Sequence, residues 1–169
     1  PPTSGTRDAW NSLVMKKGCS KEAKSLFGDK SKKECAKMRE DGYAVEAGEN
    51  DTLIVQKLAA NPDAYGFFGY SYYLANKDKI KAAAINGVKP SLEGIQDYSY
   101  PIARPLFFYA KKAHVGVVPG LKEFLDAFTS KKAMGSRGYL TDIGLVPLAS
   151  DKYKVTRTAA KDLVTINLK

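Results

Sequence analysis

Histidine and cysteine are scarce in this chain: one His and two Cys among 169 residues. The sequence contains no Cys-x-x-Cys or His-x-x-x-His pair, so a four-ligand zinc site would have to be built from carboxylates, and no metal is expected. With His114 as the single imidazole, a Ser-His-Asp or Cys-His nucleophilic centre has nothing to be assembled from, and no enzymatic role is expected. No stretch reaches the ~18 uninterrupted apolar residues of a membrane span, because Gly, Pro or Lys breaks each run. A P-loop is also missing, since no glycine-rich turn ends in Gly-Lys-Ser/Thr. The chain does not open on Met, and Pro1-Pro2-Thr3 has neither the basic start nor the apolar stretch of a secretory signal. A mature or truncated product is expected.

What is present is 44% hydrophobic and 11% aromatic residues, enough apolar surface to offset the entropy of ordering a core. The net charge of +9 admits two readings, a polyanion partner such as nucleic acid or a solvated basic surface that favours anions in general. The lysines fall in scattered pairs, Lys16-Lys17, Lys32-Lys33, Lys111-Lys112 and Lys131-Lys132, with no nucleic-acid motif around them. Nucleic acid is therefore the alternative rather than the expectation.

Along the chain, Thr3-Ser4-Gly5-Thr6-Arg7-Asp8 precedes Trp10, Leu13 and Val14 at helical spacing, and Lys16-Lys17-Gly18 closes the pattern. The spacing predicts a helix over about residues 6–17. Residues 21–38 read as one or two short polar helices around Gly28-Asp29, a surface excursion bounded by Cys19 and Cys35. Tyr43-Ala44-Val45 and the glycine-punctuated run 64–70 read as strands. Asn50-Asp51-Thr52 caps a helix that Asn61-Pro62 ends. A short helix follows near 71–76, then a strand over 80–85 and a turn at Asn86-Gly87. Residues 100–110 form an apolar extended run whose prolines exclude helix. Pro119 opens an amphipathic helix carrying Leu121, Phe124, Leu125 and Phe128. Residues 145–148 are extended, and a basic segment runs from Asp151 to Lys169. The alternation of strands and helices gives an α/β class.

The chemistry concentrates at Ser4-Gly5-Thr6-Arg7. Two hydroxyls, a glycine that lets a ligand approach the backbone, and the N–H groups of a first helical turn suit an oxyanion with no catalytic group. Arg7 adds a guanidinium that can fork onto two oxygens. Asp8 is a supporting candidate that can accept from Arg7 or from a protonated ligand oxygen. The bland alternative is an ordinary N-cap, a turn glycine and a solvated arginine.

Ser4-Gly5-Thr6-Arg7-Asp8-Ala9-Trp10, Glu46-Ala47-Gly48-Glu49-Asn50-Asp51, residues 64–70 and Tyr100-Pro101-Ile102-Ala103-Arg104-Pro105-Leu106-Phe107-Phe108-Tyr109, in that order, resemble the periplasmic phosphate-binding proteins of bacterial phosphate ABC transporters. The resemblance implies a type II periplasmic binding fold with phosphate held in a cleft between two lobes. It assigns Ser4, Gly5, Thr6 and Arg7 to the phosphate, needs no cofactor, and places the protein in the periplasm as the solute-binding partner of an inner-membrane ABC permease. The N-terminal stretch that builds most of the family's first lobe has no counterpart here. Residues 1–100 thus correspond to the second lobe, 101–109 to the crossing strand or hinge, and 110–169 to the C-terminal return into the first lobe.

In that exported setting Cys19 and Cys35 are expected to form a disulfide contributing roughly 3 kcal/mol in the loop-entropy model, with two free thiols as the alternative. His114 reads as a surface or linker residue, Asn50 and Asp51 as helix caps, the Tyr/Phe cluster at 65–73 as core, and Arg104 as a tie between the crossing strand and a lobe. Leu106, Phe107, Phe108, Leu121, Phe124 and Phe128 are expected to present apolar surface that recruits the complementary N-terminal half or a second copy. Size-exclusion chromatography with light scattering should therefore show a larger species, and a monodisperse monomer of 18.4 kDa would contradict this.

Overall fold

In the computed structural model, which describes residues 3–167, the chain divides into two units, Pro1–Lys89 and Pro90–Lys169.

In the first unit, α1 (Gly5–Trp10) starts at Ser4, whose hydroxyl accepts from the Arg7 N–H at 3.3 Å. The helix runs on into a π-helical turn, Asn11–Met15, and stops at Gly18, where a Cβ would stand 2.9 Å from the Val14 carbonyl oxygen. The helix expected over 6–17 is thus present with a widened C-terminal half. Next, α2 (Lys21–Phe27), capped by Ser20, and α3 (Ser31–Cys35) flank a short 3₁₀ turn, Gly28–Lys30. Gly28 makes this corner at φ 53°, a backbone angle that disfavours side chains. The hairpin is closed by the disulfide Cys19–Cys35, with Cα atoms 5.6 Å apart. Then α4 (Asp51–Ala60) is capped by the Asn50 Oδ1, which accepts from the Thr52 and Leu53 N–H groups at 3.0 and 3.3 Å. It buries Val55 and ends at Asn61 ahead of Pro62. The following extended segment lies so near α4 that a Cβ on Gly66 would meet Leu58 and Ile54 at 2.9 and 3.0 Å. It leads into α5 (Tyr70–Ala75).

Among the described residues there is no β-ladder, only isolated bridges at Ile85–Val88 and Val115–Val118. The α/β alternation read from the sequence is realised here in its helices. Of the segments expected as strands, 43–45, 64–69 and most of 80–85 are bends or extended chain, and Tyr70 opens α5. A strand exists by virtue of the N–H and C=O groups of a neighbour, and no other strand lies alongside these segments. The one hairpin-like feature is the Asn86-Gly87 turn, where φ values of 51° and 80° let Ile85 and Val88 exchange both backbone hydrogen bonds at 2.9 and 3.0 Å.

In the second unit, α6 (Leu92–Gln96) is capped by Ser91, and Gln96 donates to the Pro147 carbonyl at 2.7 Å. The run 102–110 is irregular and places Phe108 on α7 (Leu121–Phe128), with ring centroids 5.6 Å from Phe124 and 5.2 Å from Phe128. Leu125 is buried on that helix, whereas Leu106, Phe107 and Tyr109 are exposed. The short helices α8 (Lys131–Met134) and α9 (Tyr139–Asp142) follow. The segment expected only to be basic contains α10 (Ser150–Lys161). Its Arg157 donates to the Asp126 carbonyl and to the buried Thr129 hydroxyl at 2.7 and 2.6 Å, and pairs with the Asp126 carboxylate at 3.0 Å. Tyr153 donates to the Thr129 carbonyl at 3.0 Å.

Because α2 exposes all but one of its residues and α3 buries none, the disulfide is the main constraint on their hairpin. The double variant Cys19→Ser/Cys35→Ser should lose about 3 kcal/mol of unfolding free energy and its amides over 21–35 should exchange faster. Unchanged exchange there would show that the bridge is not what orders the hairpin.

Candidate functional site

The predicted binding residues sit together at the start of α1. Ser4 is the N-cap, Gly5 the first helical residue, and Thr6 and Arg7 complete the first turn. The Ser4 hydroxyl accepts from the Arg7 N–H, which leaves its own proton to donate outward. Gly5 is exposed, and a Cβ there would meet nothing within 4 Å, so the backbone is open to approach. Asp8 is exposed one turn on, with its N–H donating to the Ser4 carbonyl at 3.1 Å.

The Arg7 guanidinium is engaged by Glu46, and Thr3 donates to the Glu49 carboxylate at 2.8 Å. Arg7 is the more enclosed partner, its side chain 22% exposed against 55% for Glu46. Two residues past Glu49, the Asp51 carboxylate on the first turn of α4 accepts from the Gly69 N–H at 3.3 Å. Gly69 is the cap position of α5, so Asp51 supplies an acceptor to a helix start that has no side-chain cap of its own. Trp10 stacks on Phe67 with centroids 4.6 Å apart and planes 4° from parallel. Segments 4–10, 46–51 and 64–70 are therefore joined in one unit by the Arg7–Glu46 ion pair, the Asp51–Gly69 hydrogen bond and the Trp10–Phe67 stack, with Thr3 adding a hydrogen bond from just before the first.

Glu46 and Glu49 carry contacts that residue type alone did not assign, and the signal for them was their position inside the 46–51 segment. The Asn50 cap reading is realised, and Asp51 adds a long-range acceptor to its place on the first turn. The cluster at 65–73 divides. Phe67 packs on Trp10 and Tyr70 lies 5.8 Å from Tyr73, but Tyr65 is 93% exposed and outside any core. Burial pushes the Tyr70 phenol above its ordinary value, with the neighbouring Tyr73 adding to the shift. Arg104 and His114 lie in the second unit, His114 in a 3₁₀ turn. Among the described residues no cluster of three or more His, Cys, Asp and Glu is arranged to hold a metal ion, and no helix is long and apolar enough to cross a membrane.

Trp10 is the sole tryptophan, so its emission reports on the junction between α1 and the 64–70 segment. Phe67→Ala should red-shift that emission and lower stability by about 1 kcal/mol. An unshifted spectrum would mean that the stack does not form in solution.

A domain described as a PBP superfamily domain matches residues 1–132. The chain is 32% identical over 161 residues to the protein SphX of Synechococcus elongatus, covering 89% of this chain and 39% of that protein. It is 27% identical over 171 residues to the phosphate-binding protein PstS of Staphylococcus saprophyticus, covering 95% and 52%, and 32% identical over 121 residues to that of Staphylococcus haemolyticus, covering 69% and 37%. The chain thus spans about two-fifths to half the length of these relatives. No solved structure matches it significantly. A helix start carrying Ser4, Gly5, Thr6 and Arg7, braced by the 46–51 segment, lies within the matched residues, and the chain belongs to the PBP superfamily.

Proposed function

We propose that this chain is part of a solute-binding component that captures inorganic phosphate for an ABC importer, with Ser4, Gly5, Thr6 and Arg7 as the phosphate ligands. The observation that carries the reading is the placement of Arg7 in the first turn of α1 with a carboxylate, Glu46, on its guanidinium. A guanidinium that holds one oxyanion can exchange it for another, and the helix N-terminus adds backbone donors with the positive end of its dipole. The Ser4 and Thr6 hydroxyls and the Gly5 N–H would surround the phosphate oxygens, and Arg7 would neutralise charge. Asp8 is the candidate acceptor for a ligand proton. Relatives named phosphate-binding protein support the choice of anion.

In this reading residues 1–100 form the second lobe of an α/β type II binding fold, 101–109 cross between lobes, and 110–169 return into the first. The rest of the cleft comes from a complementary N-terminal half or a second copy, and the assembly works outside the cytoplasm, in the periplasm, beside its permease. The role is binding without catalysis, because the proposed ligand set holds an anion and includes no nucleophile with an adjacent base.

Calorimetry of the full chain with phosphate, with sulfate as control, tests the assignment. Phosphate should bind at millimolar strength or tighter, and Arg7→Ala should weaken it by about tenfold or more, the scale of one charge-assisted hydrogen-bond pair. Titrations that do not distinguish the variant from the parent chain would overturn it.

A further inference from the structure

Two-thirds of the net positive charge lies in one stretch, residues 16–39, that the anion site does not use. Between Lys16 and Arg39 there are nine basic residues against three acidic ones. Lys16, Lys17, Lys21, Lys24, Lys30, Lys32, Lys33 and Lys37 are all exposed. Among the described residues the ion pairs of this stretch are Lys37–Glu34 at 2.6 Å and Arg39–Asp41, so most of these ammonium groups face solvent without an ion-pair partner. Lys21, Lys24, Lys30, Lys32 and Lys33 lie on the α2–α3 hairpin, which the Cys19–Cys35 disulfide holds closed, and Lys16, Lys17, Lys37 and Arg39 flank its two ends. At the corner of the hairpin two large apolar side chains stand out between Lys24 and Lys30: Leu26 is 78% exposed and Phe27 40%. Lys21, Glu22, Ser25 and Leu26 border an open depression on the same helix.

We propose that this hairpin is a docking surface for an anionic lipid bilayer. The hairpin lysines, with Lys16, Lys17 and Lys37 at its ends, attract acidic headgroups. Leu26 and Phe27 at the corner can enter the interface while the lysine stems lie along it and keep their ammonium groups at the headgroups. The apolar pair decides between polyanions. A nucleic-acid backbone makes no use of an exposed leucine, and the hairpin offers a single aromatic ring, Phe27, where a strand-binding groove stacks successive bases. The disulfide orders the element in advance, so docking does not have to organise it. The surface is independent of the phosphate reading and survives its failure.

Co-sedimentation of the full chain with vesicles tests the proposal. Mixed phosphatidylcholine–phosphatidylglycerol vesicles should retain the protein at low salt, and pure phosphatidylcholine vesicles should not. Lys24→Glu/Lys32→Glu should reduce partitioning by about tenfold, and Leu26→Ser, which leaves every charge in place, by several-fold. The control pair Lys122→Glu/Lys154→Glu makes the same charge change on exposed positions of α7 and α10 and should leave partitioning within about twofold, since its charges lie outside the hairpin. Equal losses for both charge reversals would reduce the effect to net charge and overturn the proposal. Absence of binding to the anionic vesicles would overturn it as well. So would tighter, salt-sensitive binding to duplex DNA that Leu26→Ser does not alter, which would assign the hairpin to nucleic acid.

Discussion

Three carboxylates within six residues, Glu46, Glu49 and Asp51, hold the first unit in register. Glu46 takes the Arg7 guanidinium, Glu49 takes the Thr3 hydroxyl, and Asp51 takes the Gly69 N–H. Each contact is partly or fully exposed and contributes at most about 1 kcal/mol to stability. Their effect is positional. Together they join the start of α1 to the start of α4, and α4 to the start of α5, so two helix N-termini are fixed by side chains from one short stretch. An anion site at α1 inherits that arrangement, because the arginine it would use is already oriented by a carboxylate.

Stability comes from elsewhere. Within the first unit it rests on the Trp10–Phe67 stack, buried Val55 and Ile80, and the disulfide of the lysine-rich hairpin. Within the second unit Arg157 closes a network with Thr129 and Asp126, Phe108, Phe124 and Phe128 pack as a ring cluster, and Leu125 is buried on the same helix as Phe124 and Phe128. Burial is sparse in both. No large side chain among the described residues is fully buried, and Leu106, Phe107 and Tyr109 remain open on the run that packs against α7. Apolar surface of this kind is energetically costly to leave in water.

Helix starts were legible in the sequence because capping is local. Ser4, Ser20 and Asn50 each accept from a backbone N–H two or three residues on, and the Asn86-Gly87 turn follows from residues that tolerate positive φ. The weakly alternating 43–45, the glycine-punctuated 64–70 and the run 80–85 read locally as strands, but a strand depends on a partner that no local pattern supplies. α10 was missed because its sequence, Ser150–Lys161, is mostly polar. Its anchors, Tyr153 and Arg157, are spaced one turn apart and act through hydrogen bonds rather than through an apolar stripe. At the candidate site the donor side was legible in Ser4-Gly5-Thr6-Arg7. Glu46 could be found only through its place in the 46–51 segment, since an ion pair across 39 residues leaves no mark in spacing.

The central claim is that the α1 helix start binds a tetrahedral oxyanion, and amide chemical shifts during a phosphate titration test it most directly. The Gly5, Thr6 and Arg7 amide resonances and the Arg7 Nε–H should move together and saturably, with Glu46 responding as its guanidinium partner is taken. Shifts confined to the lysine-rich residues 16–37, with the α1 start unmoved, would contradict it.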